Sequence, residues 1–411
     1  MTKLTKYQIE DRANHSKLFN KWIYKTPVPL DTPMEYHYST GKSVLNQNDR
    51  KKKIAIYTGA AHEPWNRETV DNGMAGSETW AAELAAEFSR RGYQVTIFNQ
   101  CPVDGEVDRD GVVYRDYRKL HEAVAYDYLD VFISSRTCEP LAWSLHSQKI
   151  YIQIHDIWLS SNPNYDLRDW RVSKYAYLSN WHKDFLLQHH KGMSPNKMML
   201  TMNGVNQDLY TGTYEKKNQM VYSSSADRGL RELLLMLPEI RKAVPDFKVL
   251  IFYGFLNWES AAKARNNPAE MQEIETIKKL MEQPGVEYRG RVDKNTLAKN
   301  QMESKVWVFP TFFSETFCNT AVENSLAKNA ILSSNLAGLK TTVSDSGILL
   351  DGYADYGGSH PETYKRQFIE ESIKLLTDES YRLSWAEKAY QKAQQYTWKN
   401  CADGWVKEFG W

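Results

Sequence analysis

From Lys52 onward the chain alternates short, continuous apolar runs with longer stretches in which apolar residues recur every third or fourth position. A continuous apolar run between turn residues fits a strand buried on both faces, and the longer period fits an amphipathic helix. The first series reads as strand Ile54–Thr58, helix Glu78–Arg91 and strand Gln94–Phe98. Strands Val131–Ser135, Lys149–His155 and Ala176–Ser179 follow, then a helix from Trp181. A second series begins after Asn203-Gly204-Val205. Its strands are Met220–Ser223, Lys248–Tyr253, Val286–Arg289, Val306–Phe309, Ala330–Ser333 and Gly347–Leu350, with helices at Leu230–Val244, Ala269–Glu282 and Cys318–Lys328. Such alternation predicts parallel sheets covered by helices on both faces. Two series predict two doubly wound α/β domains, 51–205 and 206–384, facing a cleft. The polar residues 1–50 read as an extension packed on the first domain, and 385–411 as helices that cross back to it.

Composition narrows the picture. A chain of 411 residues exceeds one ordinary core. Lys plus Arg (52) nearly cancel Asp plus Glu (51), so no broad field favours nucleic acid or an anionic membrane as the main partner, which leaves room only for a peripheral membrane contact. The opening residues lack the apolar core of a signal peptide, and the longest apolar runs, such as Val249–Phe255, fall short of a membrane span. Cys101, Cys138, Cys318 and Cys401 lie far apart without metal-ligand spacing, which fits reduced thiols. The expectation is a soluble, cytoplasmic protein without a metal site.

The densest chemistry lies in Thr311–Glu323, TFFSETFCNTAVE. A strand, a polar turn and a helix opening near Cys318 would aim free backbone N–H groups, at the positive end of the helix dipole, beyond the strand ends. That arrangement seats an anion. Glu315 and Glu323 cannot both hold a phosphate, because like charges repel; carboxylates accept hydrogen bonds from sugar hydroxyls instead. An anion seat flanked by two such carboxylates describes a nucleotide-sugar site.

Other turns add to it. Gly76, after the long loop Ala60–Ala75, lets the backbone approach a ligand, and Ser77 is a good N-cap. Gly73-Met74-Ala75-Gly76 is not the dinucleotide fingerprint, and the second strand ends Phe98-Asn99-Gln100 with no acid for a ribose, which disfavours a nicotinamide enzyme. His155 closes a strand at the end where parallel sheets bind ligands, placed to meet a sugar hydroxyl or steady a developing charge, with Asp156 orienting its ring. In the second domain the small-residue turn Ser223–Gly229 presents Ser224 and lets the Arg228 guanidinium reach a diphosphate. Gly254 and Gly290-Arg291-Val292 end strands and offer a wall for a nucleobase.

Taken in order, Gly76-Ser77-Glu78, His155-Asp156, Asn203-Gly204-Val205, Asp227-Arg228-Gly229, Gly290-Arg291-Val292 and Glu315-x7-Glu323 resemble the family 4 retaining glycosyltransferases of the GT-B fold. The resemblance implies two Rossmann-like domains, with a UDP- or GDP-sugar held mainly by the second and a glycan, lipid or protein-linked acceptor by the first. It implies hexose transfer with retention, the departing phosphate serving as base; no acidic pair of metal ligands is evident in the sequence, so transfer without metal or cofactor is expected. It places Glu315 beside the donor sugar, Glu323 on the ribose, and the amides of Phe317, Cys318, Asn319 and Thr320 on the diphosphate or sugar. Val292 would meet the base through its backbone, and His155 the transferred sugar. Arg228 falls on the family's usual lysine, but the usual strand-end arginine is replaced by Ser223 or Ser224. Arg228 and the helix termini then suffice, or Arg291 contributes, or activity is weak. An epimerase or phosphorylase of the same fold and a catalytically silent nucleotide-sugar-binding protein are the competing expectations.

Overall fold

Burial on both faces selects the strands, and the structure, a computed structural model, describes them within residues 50–411 apart from 123–127, 144, 160–166 and 356–357. The extension expected over 1–50 lies, but for Arg50, outside the described residues. The first sheet comprises β1 (Lys53–Gly59), β2 (Gln94–Asn99), β3 (Glu106–Val107), β4 (Val113–Asp116), β5 (Leu129–Ser135), β6 (Ser147–Gln153), β7 (Lys174–Tyr177) and β8 (Met198–Leu200). Their order is β3-β4-β2-β1-β5-β6-β7-β8, all parallel except the β3–β4 pair. The second sheet comprises β9 (Gln219–Tyr222), β10 (Lys248–Phe252), β11 (Val286–Gly290), β12 (Val306–Phe309), β13 (Ala330–Ser334) and β14 (Ile348–Leu350). Its order is β11-β10-β9-β12-β13-β14, parallel throughout. Every residue of β5, β9, β12 and β13 is buried, which is why these runs show no polar alternation.

The boundaries depart from expectation in instructive places. The strand expected at Ala176–Ser179 ends at Tyr177, because Ser179 caps the helix Asn180–His189: its hydroxyl accepts from the His182 N–H at 3.3 Å. The short strands β3, β4 and β8 and the helix Leu256–Ala264 carry too little periodic signal to stand out in the sequence.

The chain order reverses at β1, which has β2 on one side and β5 on the other, and at β9, flanked by β10 and β12. Adjacent loops there leave the sheet in opposite directions, opening a crevice at the carboxyl ends.

Among the described residues the chain crosses between domains twice, and the crossings lie side by side. The Val205 N–H donates to the Tyr396 carbonyl at 2.9 Å, and Val205 bridges Thr397 in parallel. The crossing expected from residue 385 begins only after Ala393. The helix Glu379–Ala393 stays on the second domain, its small buried face of Ala386, Ala389 and Ala393 admitting close packing on β13 and the helix Asn319–Leu326. The last helix, Trp398–Phe409, buries Trp405 and Phe409 in the first domain, with Trp405 5.4 Å from Tyr151 and 6.3 Å from Trp80. Among the described residues no helix is long and apolar enough to cross a membrane.

A Cβ on Gly204 would stand 2.4 Å from the Trp398 nitrogen and 2.6 Å from its Cα, so only glycine lets the two crossings touch. Gly204→Ala should therefore cost about 1–3 kcal/mol, as overpacking does. Denaturant unfolding monitored by tryptophan fluorescence checks this; an unshifted midpoint would contradict the contact.

Candidate active site

The carboxyl ends of β1, β5 and β6 share a cleft of about 1080 Å³ with those of β9, β10 and β12. Gly76, Ser77 and His155 line it from the first domain. Ser224, Arg228, Arg291, Val292, Glu315, Phe317, Cys318, Asn319, Thr320 and Glu323 line it from the second. Gly254, expected at the base wall, does not: a Cβ there would meet the Tyr288 hydroxyl at 2.9 Å, and Tyr253 stands in the lining instead.

The loop after β12 is held at several points. The Thr316 hydroxyl donates to the His155 carbonyl at 2.7 Å, the Gly338 N–H donates to the Glu315 carbonyl at 2.7 Å, and the Thr342 hydroxyl donates to the Phe317 carbonyl. Cys318 caps the helix Asn319–Leu326 in the left-handed region at φ +75, an uncommon conformation for a residue with a Cβ. The N–H groups of Asn319 and Thr320 open that helix and have no partner within it. Burial, reinforced by Glu315, pushes the Cys318 thiol up to about 12, so it adds no negative charge beside those amides.

Glu315 and Arg228 meet as an ion pair, Nη1 to Oε1, at 2.7 Å, with the guanidinium 4.0 Å above the Phe313 ring centroid. Gly229, at φ +110, makes the meeting possible: a Cβ there would lie 2.2 Å from the Pro310 oxygen, on the loop that carries Glu315. Burial of the guanidinium works against its charge, but Glu315 and Asp227 outweigh it and hold its pKa above the ordinary value. Ser223 is buried, its hydroxyl accepting from Asn324 Nδ2 at 3.4 Å.

Glu323 occupies a drier place. Burial lifts its carboxyl to about 7, although Lys294 and Gln301 pull the other way. Lys294 is itself shifted downward by burial, against the opposing pull of Glu83 in the first domain and of Glu323.

In the first domain the N-cap of the helix Gly76–Arg90 is Ala75, not Ser77. The loop turns helical two residues early, and the Ser77 hydroxyl instead donates to Glu78 Oε2 at 2.9 Å. His155 packs edge-on against Trp80 at 4.9 Å, and its Nε2 is buried with no partner. Burial, Arg136 and His182 lower its pKa to about 3, so the ring is neutral at physiological pH. Asp156 does not orient it. Its carboxylate takes Arg136 Nε at 2.6 Å, and its carbonyl faces His182 Nε2 at 3.1 Å.

Sequence reasoning passed over Arg136, Phe313 and Lys294, and gave Asn203 no role. Asn203 Nδ2 donates to Asn319 Oδ1 at 2.9 Å, tying the first crossing to the start of the second-domain helix. Its place in the Asn203-Gly204-Val205 turn was the available signal; Arg136 carried none. Arg291 lies 3.4 Å from Glu63 Oε1, and a Cβ on Gly73 would lie 3.2 Å from the Val292 carbonyl, so here the two domains already touch.

No family model and no curated protein matches the sequence. Solved structures resemble the fold. A glycosyltransferase from Rickettsia africae aligns with a TM-score of 0.62 at 14% identity, over 88% of this chain and 98% of its own. Sucrose-phosphate synthase from Thermosynechococcus elongatus aligns at 0.64 and 14%, over 88% and 98%. Anabaena HepE, solved with UDP and glucose, aligns at 0.64 and 12%, over 87% and 99%. Two parallel-sheet α/β domains opening on a shared cleft give this chain the GT-B fold of those glycosyltransferases.

Proposed function

We propose that the chain is a retaining glycosyltransferase of the family 4 kind, moving a hexose from a UDP- or GDP-sugar to a glycan, lipid or protein-linked acceptor without a metal ion. One observation carries the reading. A helix N-terminus, the Arg228–Glu315 pair and Glu323 share one cleft with a neutral histidine from the opposite domain. The solved neighbours support it, HepE with its bound UDP and glucose in particular.

In this reaction the bond between the anomeric carbon and the β-phosphate oxygen breaks, and its electron pair stays on the phosphate. The acceptor hydroxyl oxygen bonds to the anomeric carbon from the same face, and its proton passes to the departing phosphate oxygen. The sugar ring gains positive character on the way. Arg228 and the amides of Asn319 and Thr320 stabilise the leaving charge, each preorganised donor being worth about 3–4 kcal/mol of barrier. Neutral His155 offers a hydrogen bond to a sugar hydroxyl without repelling that cationic ring. Glu315 holds Arg228 with one oxygen and offers the other to the sugar, while Glu323 accepts from the ribose diol and the Val292 backbone meets the base.

A thermal-shift screen of UDP, GDP, ADP and their sugars is the direct test, since ligand at about 100 times its dissociation constant adds roughly 2.7 kcal/mol. Stabilisation accompanied by hydrolysis or transfer supports the enzyme; stabilisation without turnover would mark a silent binding protein. Arg228→Ala should lower turnover at least about tenfold, and Arg228→Lys should retain more of it. Equal rates in all three forms would remove Arg228 from the chemistry.

Glu323 gives a pH signature. A ribose diol needs the carboxylate as acceptor, so affinity for a sugar nucleotide, whose diphosphate does not titrate here, should weaken between about pH 8 and pH 6. Glu323→Gln should flatten the profile, and calorimetry across that range checks it. The unliganded protein behaves oppositely. The folded state holds this proton more tightly than a carboxyl at 4.5, so the stability it contributes is present below that pH and lost as pH rises through about 7.

A further inference from the structure

The leaving group departs with at least two negative charges, yet the turn after β9 offers it one cation. Where a strand-end cation would stand, Ser223 presents only a buried hydroxyl engaged with Asn324. Other cations of the cleft also stand in partly exposed ion pairs. Arg231 faces Glu273 at 3.5 Å, Arg265 faces Glu270 at 2.6 Å, and Arg291 reaches Glu63 and Met74 on the first-domain loop.

Arg136 differs in what surrounds it. It follows β5, the neighbour of β1 at the point where the first sheet's order reverses. Its backbone is left-handed, φ +68, although it carries a long side chain. Two contacts hold that conformation: its N–H donates to the Gln153 carbonyl at 2.9 Å, and the Ser134 hydroxyl closes the turn on the Thr137 carbonyl at 2.6 Å. The guanidinium thereby reaches Ser77 Oγ at 3.4 Å. Ser77 adjoins Gly76, where a Cβ would stand 3.4 Å from Asn319 Nδ2. Arg136 and the N-termini of the helices Gly76–Arg90 and Asn319–Leu326 thus converge on one corner of the cleft, beside His155.

We propose that Arg136 is the second cation on the leaving diphosphate, supplied by the first domain in place of a strand-end cation in the second. This rests on the glycosyltransferase reading. Its present partner, Asp156, is no obstacle: the side chains are 48% and 49% exposed, and such a pair exchanges readily for a diphosphate oxygen. Arg136 forms no covalent bond and moves no proton; it balances the charge left on the phosphate when the glycosidic bond breaks. Because the two cations stand on opposite domains, full neutralisation requires the cleft to be closed, whereas a nucleotide alone docks on the second domain. Turnover is therefore gated by closure.

The test compares Arg136→Ala, Arg136→Lys and Asp156→Ala with the wild type, in steady-state kinetics on the accepted sugar nucleotide and in calorimetric titration with the nucleoside diphosphate. Arg136→Ala should lower kcat by about 10²–10³, keep nucleoside diphosphate affinity within about threefold, and recover in part with added guanidinium. Arg136→Lys should retain intermediate activity, and Asp156→Ala most of it. If the alanine variant does not fold, Arg136→Gln takes its place in the same measurements. A kcat within about threefold of wild type, or an equal loss in Asp156→Ala, overturns the assignment. A wild type that turns over no sugar nucleotide overturns the transferase reading as well, and that failure shows before any substitution is made.

Discussion

The ion pair between Arg228 and Glu315 joins the turn after β9 to the loop after β12, and the second-domain half of the cleft is arranged around it. Breaking a fully buried pair of this kind costs about 3–5 kcal/mol; Arg228 keeps a third of its side chain exposed, so here the cost is smaller and the guanidinium stays reachable. The same pairing fixes two functions at once. It keeps Arg228 charged against the burial that opposes it, and it spends part of the Glu315 carboxylate so that less negative charge faces an incoming diphosphate. Gly229 is the geometric condition for all of it, since any side chain would drive the two turns apart.

Around that pair the domains are joined by thin, specific contacts. Thr316 holds the His155 carbonyl, Asn203 holds Asn319, and Val205 runs beside Thr397. Beside them a buried apolar cluster of Leu178, Val205, Phe317, Val322, Leu326 and Tyr396 spans the two domains, while the last helix sets Trp405 and Phe409 deep in the first. Two chain crossings lying side by side and a firmly anchored tail suit a molecule whose lobes move against each other without separating.

Charge is distributed with a corresponding logic. His155 is kept neutral by burial, Cys318 is kept protonated, and Glu323 sits at the edge of ionisation. The carboxylates and cations are paired with each other rather than left to face the space where a ligand would sit. Closure over a ligand that expelled water from the cleft would strengthen each polar contact to it, because the local dielectric would fall.

Strand and helix runs, the two-domain division and the Thr311–Glu323 turn follow from the order of residues alone, because buried parallel strands need unbroken apolar runs and a helix N-terminus next to a strand end is a local feature. Even the motif Asn203-Gly204-Val205 was visible, though not that Gly204 exists to let Trp398 pass. Other features depend on chain segments that meet only after folding. Ser77 lost its capping role to Ala75, Asp156 turned to Arg136 and away from His155, Gly254 gave way to Tyr253, and the crossing began after Ala393 and not at 385. Arg136 shows the difference most plainly: nothing local distinguishes Ser135-Arg136-Thr137, and only the convergence of β5, Ser77 and a helix from the other domain sets that side chain in the cleft. Local periodicity is written along the chain, whereas a site assembled from both lobes exists only in the contacts between residues far apart in sequence.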